Sequence, residues 1–138
     1  MDEVRKLFGK HKSITIQTIK GKELEKKWLN GIYQVGKWSV NDPRLILIEY
    51  KGNKAKNYDY ALVGKWVCFD TGWYNIKQTG SMEDMKIDMA GAATVMWVLN
   101  YIVTNSIQKN LIIGLPLVEN MVSHNAYKPG DVISMYNG

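Results

Sequence analysis

The sequence predicts an α/β domain, a mixed sheet flanked by helices, and three observations predict it. Short β-favouring runs bracket one long stretch with helical spacing, the length of 138 residues suits a single core, and no linker or low-complexity tract divides the chain. In order, Ser13–Ile19 (SITIQTI) alternates polar and apolar side chains over the length of a strand. Lys22–Leu29 (KELEKKWL) is charged and helix-favouring, with Asn30-Gly31 as its stop. Arg44–Tyr50 (RLILIEY) is nearly continuously apolar, the pattern of a strand covered on both faces, and the polar Lys51–Tyr58 forms a loop. Tyr60–Phe69 reads as one strand ending in Asp70-Thr71-Gly72. From Met85 to about Ser106 the residues Met85, Met89, Ala92, Ala93, Met96, Leu99 and Val103 recur mostly at three and four, an apolar helical stripe. Asn110–Val118 reads as a buried strand, and Asp131–Tyr136 as a short one after the turn Lys128-Pro129-Gly130. Strands separated by a helix of that length imply a βαβ crossover, and ligands in such sheets collect at the carboxyl ends of strands, where Asp70 falls.

Lys and Arg exceed Asp and Glu by 18 − 13 = +5, with only 22% of residues charged. The basic residues are scattered, so the excess gives solubility rather than a nucleic-acid footprint, and no RNP-like motif is present. Without a run of eighteen apolar residues or a signal-like start, the chain is expected to be soluble and cytoplasmic, away from membranes. Cys68 is the single cysteine. No internal disulfide is possible, and its place in a strand predicts a small core residue.

Chemistry concentrates in Gly64–Asp88, which holds Lys65, Asp70, Lys77, Glu83, Asp84, Lys86 and Asp88 across a strand end, a glycine-containing loop and a helix start. Carboxylates at this density suit a hard divalent cation, although a solvated charged helix start has the same composition. Lys65 and Asp70, five apart, would face opposite ways on a regular strand, so a bend must bring them together.

The order and spacing of Val63-Gly64-Lys65, Phe69-Asp70-Thr71-Gly72, Ile76-Lys77, Met82-Glu83, Asp88-Met89 and Gly91-Ala92-Ala93 closely resemble the catalytic domain of the leucyl aminopeptidase (cytosol aminopeptidase) family. Glu119-Asn120-Met121 and Asn125–Asp131 extend the match. The resemblance implies a two-metal aminopeptidase acting on peptide substrates, with Zn²⁺ or Mn²⁺. By it, Lys65 and Asp88 bind one metal, Asp70 bridges both, and Lys77 polarises the scissile carbonyl. Met85 matches a residue lining the pocket for the first side chain, and a core methionine is an equal reading. A homo-oligomer, hexameric in the family, is also implied.

Two departures accompany the match. Residues 1–138 are expected to be a partial catalytic domain, because the chain ends before the family's Asn-Thr-Asp-Ala-Glu-Gly-Arg motif, which carries further ligands. A slice of this kind would leave strand edges such as that of NLIIGLPLV unpaired, and a non-catalytic relative that keeps the fold for binding or assembly is the competing expectation. Second, the resemblance implies glycine at all five tryptophans, Trp28, Trp38, Trp66, Trp73 and Trp97. An indole at such positions is expected to clash or force rearrangement, and Trp73 lies between Asp70 and Lys77.

Overall fold

The computed structural model describes residues 2–123 and 128–133. Five helices are described: α1 (Asp2–Phe8), α2 (Lys22–Lys26), α3 (Asn30–Gly36), α4 (Thr79–Met82) and α5 (Ala90–Thr104). The strands are β1 (Ile14–Lys20), β2 (Arg44–Lys51), β3 (Tyr60–Val63), β4 (Trp66–Asp70) and β5 (Asn110–Asn120), and a 3-10 turn at Glu83–Ile87 precedes α5. They build one mixed sheet around β5. On one side β2 runs antiparallel to β5, from Arg44 opposite Leu117 to Lys51 opposite Asn110, and β1 runs antiparallel to β2. On the other side β3 and then β4 follow one another along the same edge of β5, both parallel to it. The crossover from β4 through α5 to β5 is the expected βαβ unit.

The core lies on one face of this sheet. Ile46, Ile48 and Tyr50 of β2 and Leu111, Ile113 and Leu115 of β5 pack with Val4 and Phe8 of α1 and Ala92 and Leu99 of α5. Every position of the predicted stripe is buried or half-buried, but the α-helix begins only at Ala90, with Met85 on the 3-10 turn and Met89 as the N-cap. The opposite face is less covered. Leu45, Leu47, Ile112, Gly114 and Pro116 line a shallow apolar depression with Ile32 of α3. β2 is therefore buried on alternate residues, not on both faces, which corrects the reading of its continuous apolar run.

Other boundaries shift for local reasons. The helix expected over Lys22–Leu29 ends at Lys26, and Asn30-Gly31 opens α3 instead of stopping a helix. The strand expected over Tyr60–Phe69 is two strands, because the chain leaves the sheet at Gly64-Lys65 to meet α5. The strand β5 is paired on both sides, so the expected unpaired edge of NLIIGLPLV is not observed. Asp131–Ile133 form no strand, while Ser134–Tyr136 and His124 lie outside the described residues. An 18-residue window within Thr79–Thr104 has a mean hydropathy of 1.3, apolar enough by composition to cross a membrane, but the segment is divided among α4, the 3-10 turn and α5. The fifteen residues of α5 fall short of the roughly 20 a membrane span requires.

The start of β5 anchors the Lys51–Asp59 loop. The fully buried Asn110 donates from Nδ2 to the carbonyls of Ala55 and Asn57 at 2.8 and 3.1 Å. Its N–H donates to Asp59 Oδ2 at 2.7 Å, and Lys109 Nζ reaches Asp59 Oδ1 at 3.1 Å. The Asn110 N–H, followed by the Lys109 ammonium, holds the Asp59 carboxyl below the usual carboxylate range. A lowered folded-state pKa stabilises the fold above the ordinary carboxylate pKa, and that contribution is lost as pH falls through the lowered value. Urea midpoints measured from pH 6 downward are thus expected to drop below about pH 4 more steeply for the native chain than for Asp59→Asn. Parallel curves would contradict this role for Asp59.

Candidate metal and peptide site

Asp70 closes β4 opposite Asn120, the last residue of β5. Between Val67 and Asp70 the β4–β5 register shifts: three steps on β4 match two on β5. The extra residue is a bulge, and it offsets the alternation that would otherwise send Lys65 and Asp70 to opposite faces. The Asp70 side chain is only 16% exposed. Its Oδ1 accepts hydrogen bonds from Asn120 Nδ2 at 2.6 Å and from the Gly72 N–H at 3.0 Å, and its Oδ2 lies 3.3 Å from Lys77 Nζ. Burial disfavours the charged form, yet the Gly72 N–H, the Asn120 amide and the Lys77 ammonium outweigh it and hold the carboxyl below its ordinary range. Asp70 is consequently an anion at neutral pH, already bound from three directions.

Thr71 fixes the start of the loop that carries Lys77. Its N–H and its hydroxyl both donate to the Asn120 carbonyl, at 2.9 and 2.8 Å. Gly72 then turns with φ +82°, and the Lys77 N–H returns to the Thr71 carbonyl at 2.9 Å, which brings residue 77 back beside residue 70.

A second pair forms at the other end of β4. Lys65 Nζ lies 2.8 Å from Asp88 Oδ1, with the lysine side chain 60% exposed and the aspartate 18%. Two backbone bonds set this pair, Val67 N–H to the Asp88 carbonyl at 3.1 Å and Ala92 N–H to the Lys65 carbonyl at 3.0 Å. The approach is possible because residue 64 is glycine: a Cβ there would sit 2.7 Å from Ala92 Cα and 2.8 Å from the Gly91 carbonyl oxygen. Asp88 Oδ2 is buried and has no hydrogen-bond partner among the described residues.

The structure therefore gathers the four predicted charged residues as two pairs, Asp70 with Lys77 and Asp88 with Lys65. Among the described residues, no three His, Cys, Asp or Glu side chains converge on one point. The oxygen donors nevertheless fit part of a divalent-cation site: hard carboxylate ligands, one with a buried unsatisfied oxygen that a cation would satisfy. Met85 lies half-buried on the 3-10 turn, and its carbonyl accepts the Asp88 N–H at 3.2 Å. Cys68 is exposed rather than in the core, because the alternation of β4 turns Val67 and Phe69 inward. Partial withdrawal from water and then the Glu119 carboxylate push its thiol pKa up, away from the reactive thiolate. Sequence reasoning assigned no role to Asn120 or Thr71. Both lie in motifs that carry the resemblance, but their contacts become visible only once β4 is paired with β5.

The model of the cytosol aminopeptidase family, catalytic domain, matches residues 1–138. The chain belongs to the cytosol aminopeptidase family. Within the family, it is 41% identical over 120 residues to a probable cytosol aminopeptidase of Cenarchaeum symbiosum, covering 87% of this chain and 25% of that protein. It is 41% identical over 128 residues to peptidase B of Photorhabdus laumondii, covering 91% of this chain and 30% of that one. Among solved structures, the apo leucyl aminopeptidase of Trypanosoma cruzi superposes with a TM-score of 0.80 at 36% identity, over 94% of this chain and 25% of the other. The bottromycin maturation enzyme BotP in complex with Mn gives 0.76 at 31% identity, over 99% and 29%. The chain thus spans about a quarter of the length of the family members it matches. The mixed sheet with flanking helices is the fold that the sequence predicts.

Proposed function

We propose that this chain carries part of the active site of a metal-dependent aminopeptidase that releases N-terminal residues from peptides. The buried Asp88 Oδ2, without a hydrogen-bond partner among the described residues and beside Lys65, is the observation that carries this reading, because a bound cation would satisfy it. Asp88 and Lys65 would hold one divalent ion, and Asp70 would bridge to a second. Bound Zn²⁺ or Mn²⁺ supplies Lewis acidity and lowers the pKa of water. The rest falls to the chain's own groups. Lys65 Nζ can ligate only as a neutral amine, and its exposure gives the departing proton a path to solvent. Asp70 stays ionised through its three donors. Lys77 Nζ is placed to donate toward an oxygen that gains negative charge as the peptide carbonyl is attacked. The same reading includes cytoplasmic residence and a homo-oligomer, hexameric as the resemblance implies, which sedimentation of the purified chain measures.

Calorimetric titration with Mn²⁺ of the whole protein that completes this site, paired with hydrolysis of leucine amide, tests the reading. Saturable binding with metal-dependent turnover is expected. Absence of turnover with Mn²⁺, Zn²⁺ or Mg²⁺ would favour a non-catalytic member of the family. Asn120→Ala is expected to weaken Mn²⁺ binding by about 10- to 100-fold, the usual cost of losing a group that orients a metal ligand. An unchanged affinity would leave Asn120 with a purely structural role.

A further inference from the structure

Three residues other than glycine have positive φ among the described residues: Trp28 at 61°, Trp73 at 54° and Ser106 at 49°. Two of the three are tryptophans, in a chain that has only five. Their hydrogen bonds define what each position requires. At the end of α2, the Leu29 N–H donates to the Leu24 carbonyl at 2.9 Å and the Trp28 N–H to the Glu25 carbonyl at 3.0 Å. With Lys27 as the C-cap, this is a Schellman ending, and Trp28 occupies its left-handed position, the one that glycine fills most often. In the loop after β4, the Asn75 N–H donates to the Gly72 carbonyl at 3.1 Å, closing a four-residue turn whose first central residue is Trp73. Positive φ at that position belongs to the primed turns, dominated by glycine, asparagine and aspartate. A bulky aromatic residue in either place is an outlier.

The three most exposed indoles gain little in exchange, while Trp66 packs half-buried against the core. Trp28, Trp38 and Trp97 are 87, 56 and 73% exposed, Trp66 and Trp73 are half-buried, and no tryptophan is among the buried core residues. Tryptophan is normally retained for the large apolar area it buries. The expected clash is resolved by exposure, and the rearrangement is confined to backbone that glycine adopts without strain.

We propose that all five tryptophans stand where the protein made by its own host carries glycine, because their codon is TGA. That triplet is a stop in the standard code, tryptophan in some variant codes and glycine in others. A single reassigned codon converts every occurrence together, so positions 38, 66 and 97, where the resemblance also implies glycine, change with 28 and 73 when they share that codon. With glycine at 73, the stack of Trp73 on Trp38 and Tyr74, at ring separations of 6.2 and 5.4 Å, would not exist beside the loop that carries Lys77.

The test is the gene together with the protein from its native cells. Five TGA codons are expected, along with tryptic peptides 28–37, 38–44 and 87–109 each lighter by one tryptophan-to-glycine exchange and peptide 66–77 lighter by two. A TGG codon at any of the five positions overturns the proposal and favours a diverged paralogue. TGA codons with peptides at tryptophan masses overturn it equally.

Discussion

Asp70→Ala is expected to reduce the hydrolysis of leucine amide to background, with Mn²⁺ binding weakened in the same variant. Among the described residues the carboxylate is the anion paired with Lys77 Nζ, at 3.3 Å, and in the proposed reading it is the ligand common to both cations. Its removal withdraws a negative charge held ready by the Gly72 N–H, the Asn120 amide and the Lys77 ammonium, and leaves all three donors without their acceptor. Loss of activity could then reflect a collapsed loop, so Asp70→Asn is the companion variant. It keeps the size and an acceptor oxygen but carries no charge, and it is expected to be equally inactive while its circular dichroism matches the parent. Turnover that survives either substitution would exclude this site as the reacting centre.

Lys77→Met is expected to lower kcat by about 10²–10³-fold, with a much smaller change in KM, corresponding to roughly 3–4 kcal/mol of transition-state stabilisation. In the proposed reading the ammonium acts on charge that develops during the reaction, so its loss would fall on the rate rather than on ground-state binding. Methionine retains the apolar stem, which is largely covered, since the side chain is only 30% exposed. A rise in KM at constant kcat would instead make Lys77 a peptide-binding residue. Mn²⁺ affinity is a useful second readout, because removing a cation near Asp70 should not weaken cation binding there.

Much of this arrangement is legible in the sequence, and the parts that are not have identifiable causes. Periodicity finds β1 and α5, and nearly continuous apolar runs find β2 and β5. It misses α1, whose polar residues surround only two core anchors, Val4 and Phe8. It merges β3 with β4 because the break at Gly64-Lys65 comes from a backbone contact with α5, far along the chain, and local pattern carries no trace of that. Cys68 is misassigned with it, since one long buried strand and two short half-covered ones share the same composition. The four charged site residues emerge from motif spacing, whereas their division into two pairs depends on the bulge in β4 and on the hydrogen bonds that place Asp88 beside it. Asn120 stands in a matched motif, but its contact with Asp70 exists only through register.

The two partners of the Asp70–Lys77 pair are held by very different means. Asp70 belongs to the sheet: to displace it, Thr71 must release the Asn120 carbonyl and the end of the β4–β5 ladder must open. Lys77 sits on a loop closed by two backbone bonds, from Asn75 to Gly72 and from Lys77 to Thr71. Local opening of a few bonds costs far less than unzipping a strand, so the loop exchanges its amide protons and samples open forms long before the sheet does. The pair therefore joins a carboxylate fixed in the sheet to an ammonium on the more easily opened loop, and in the proposed reading the ammonium would be the partner free to follow an arriving carbonyl.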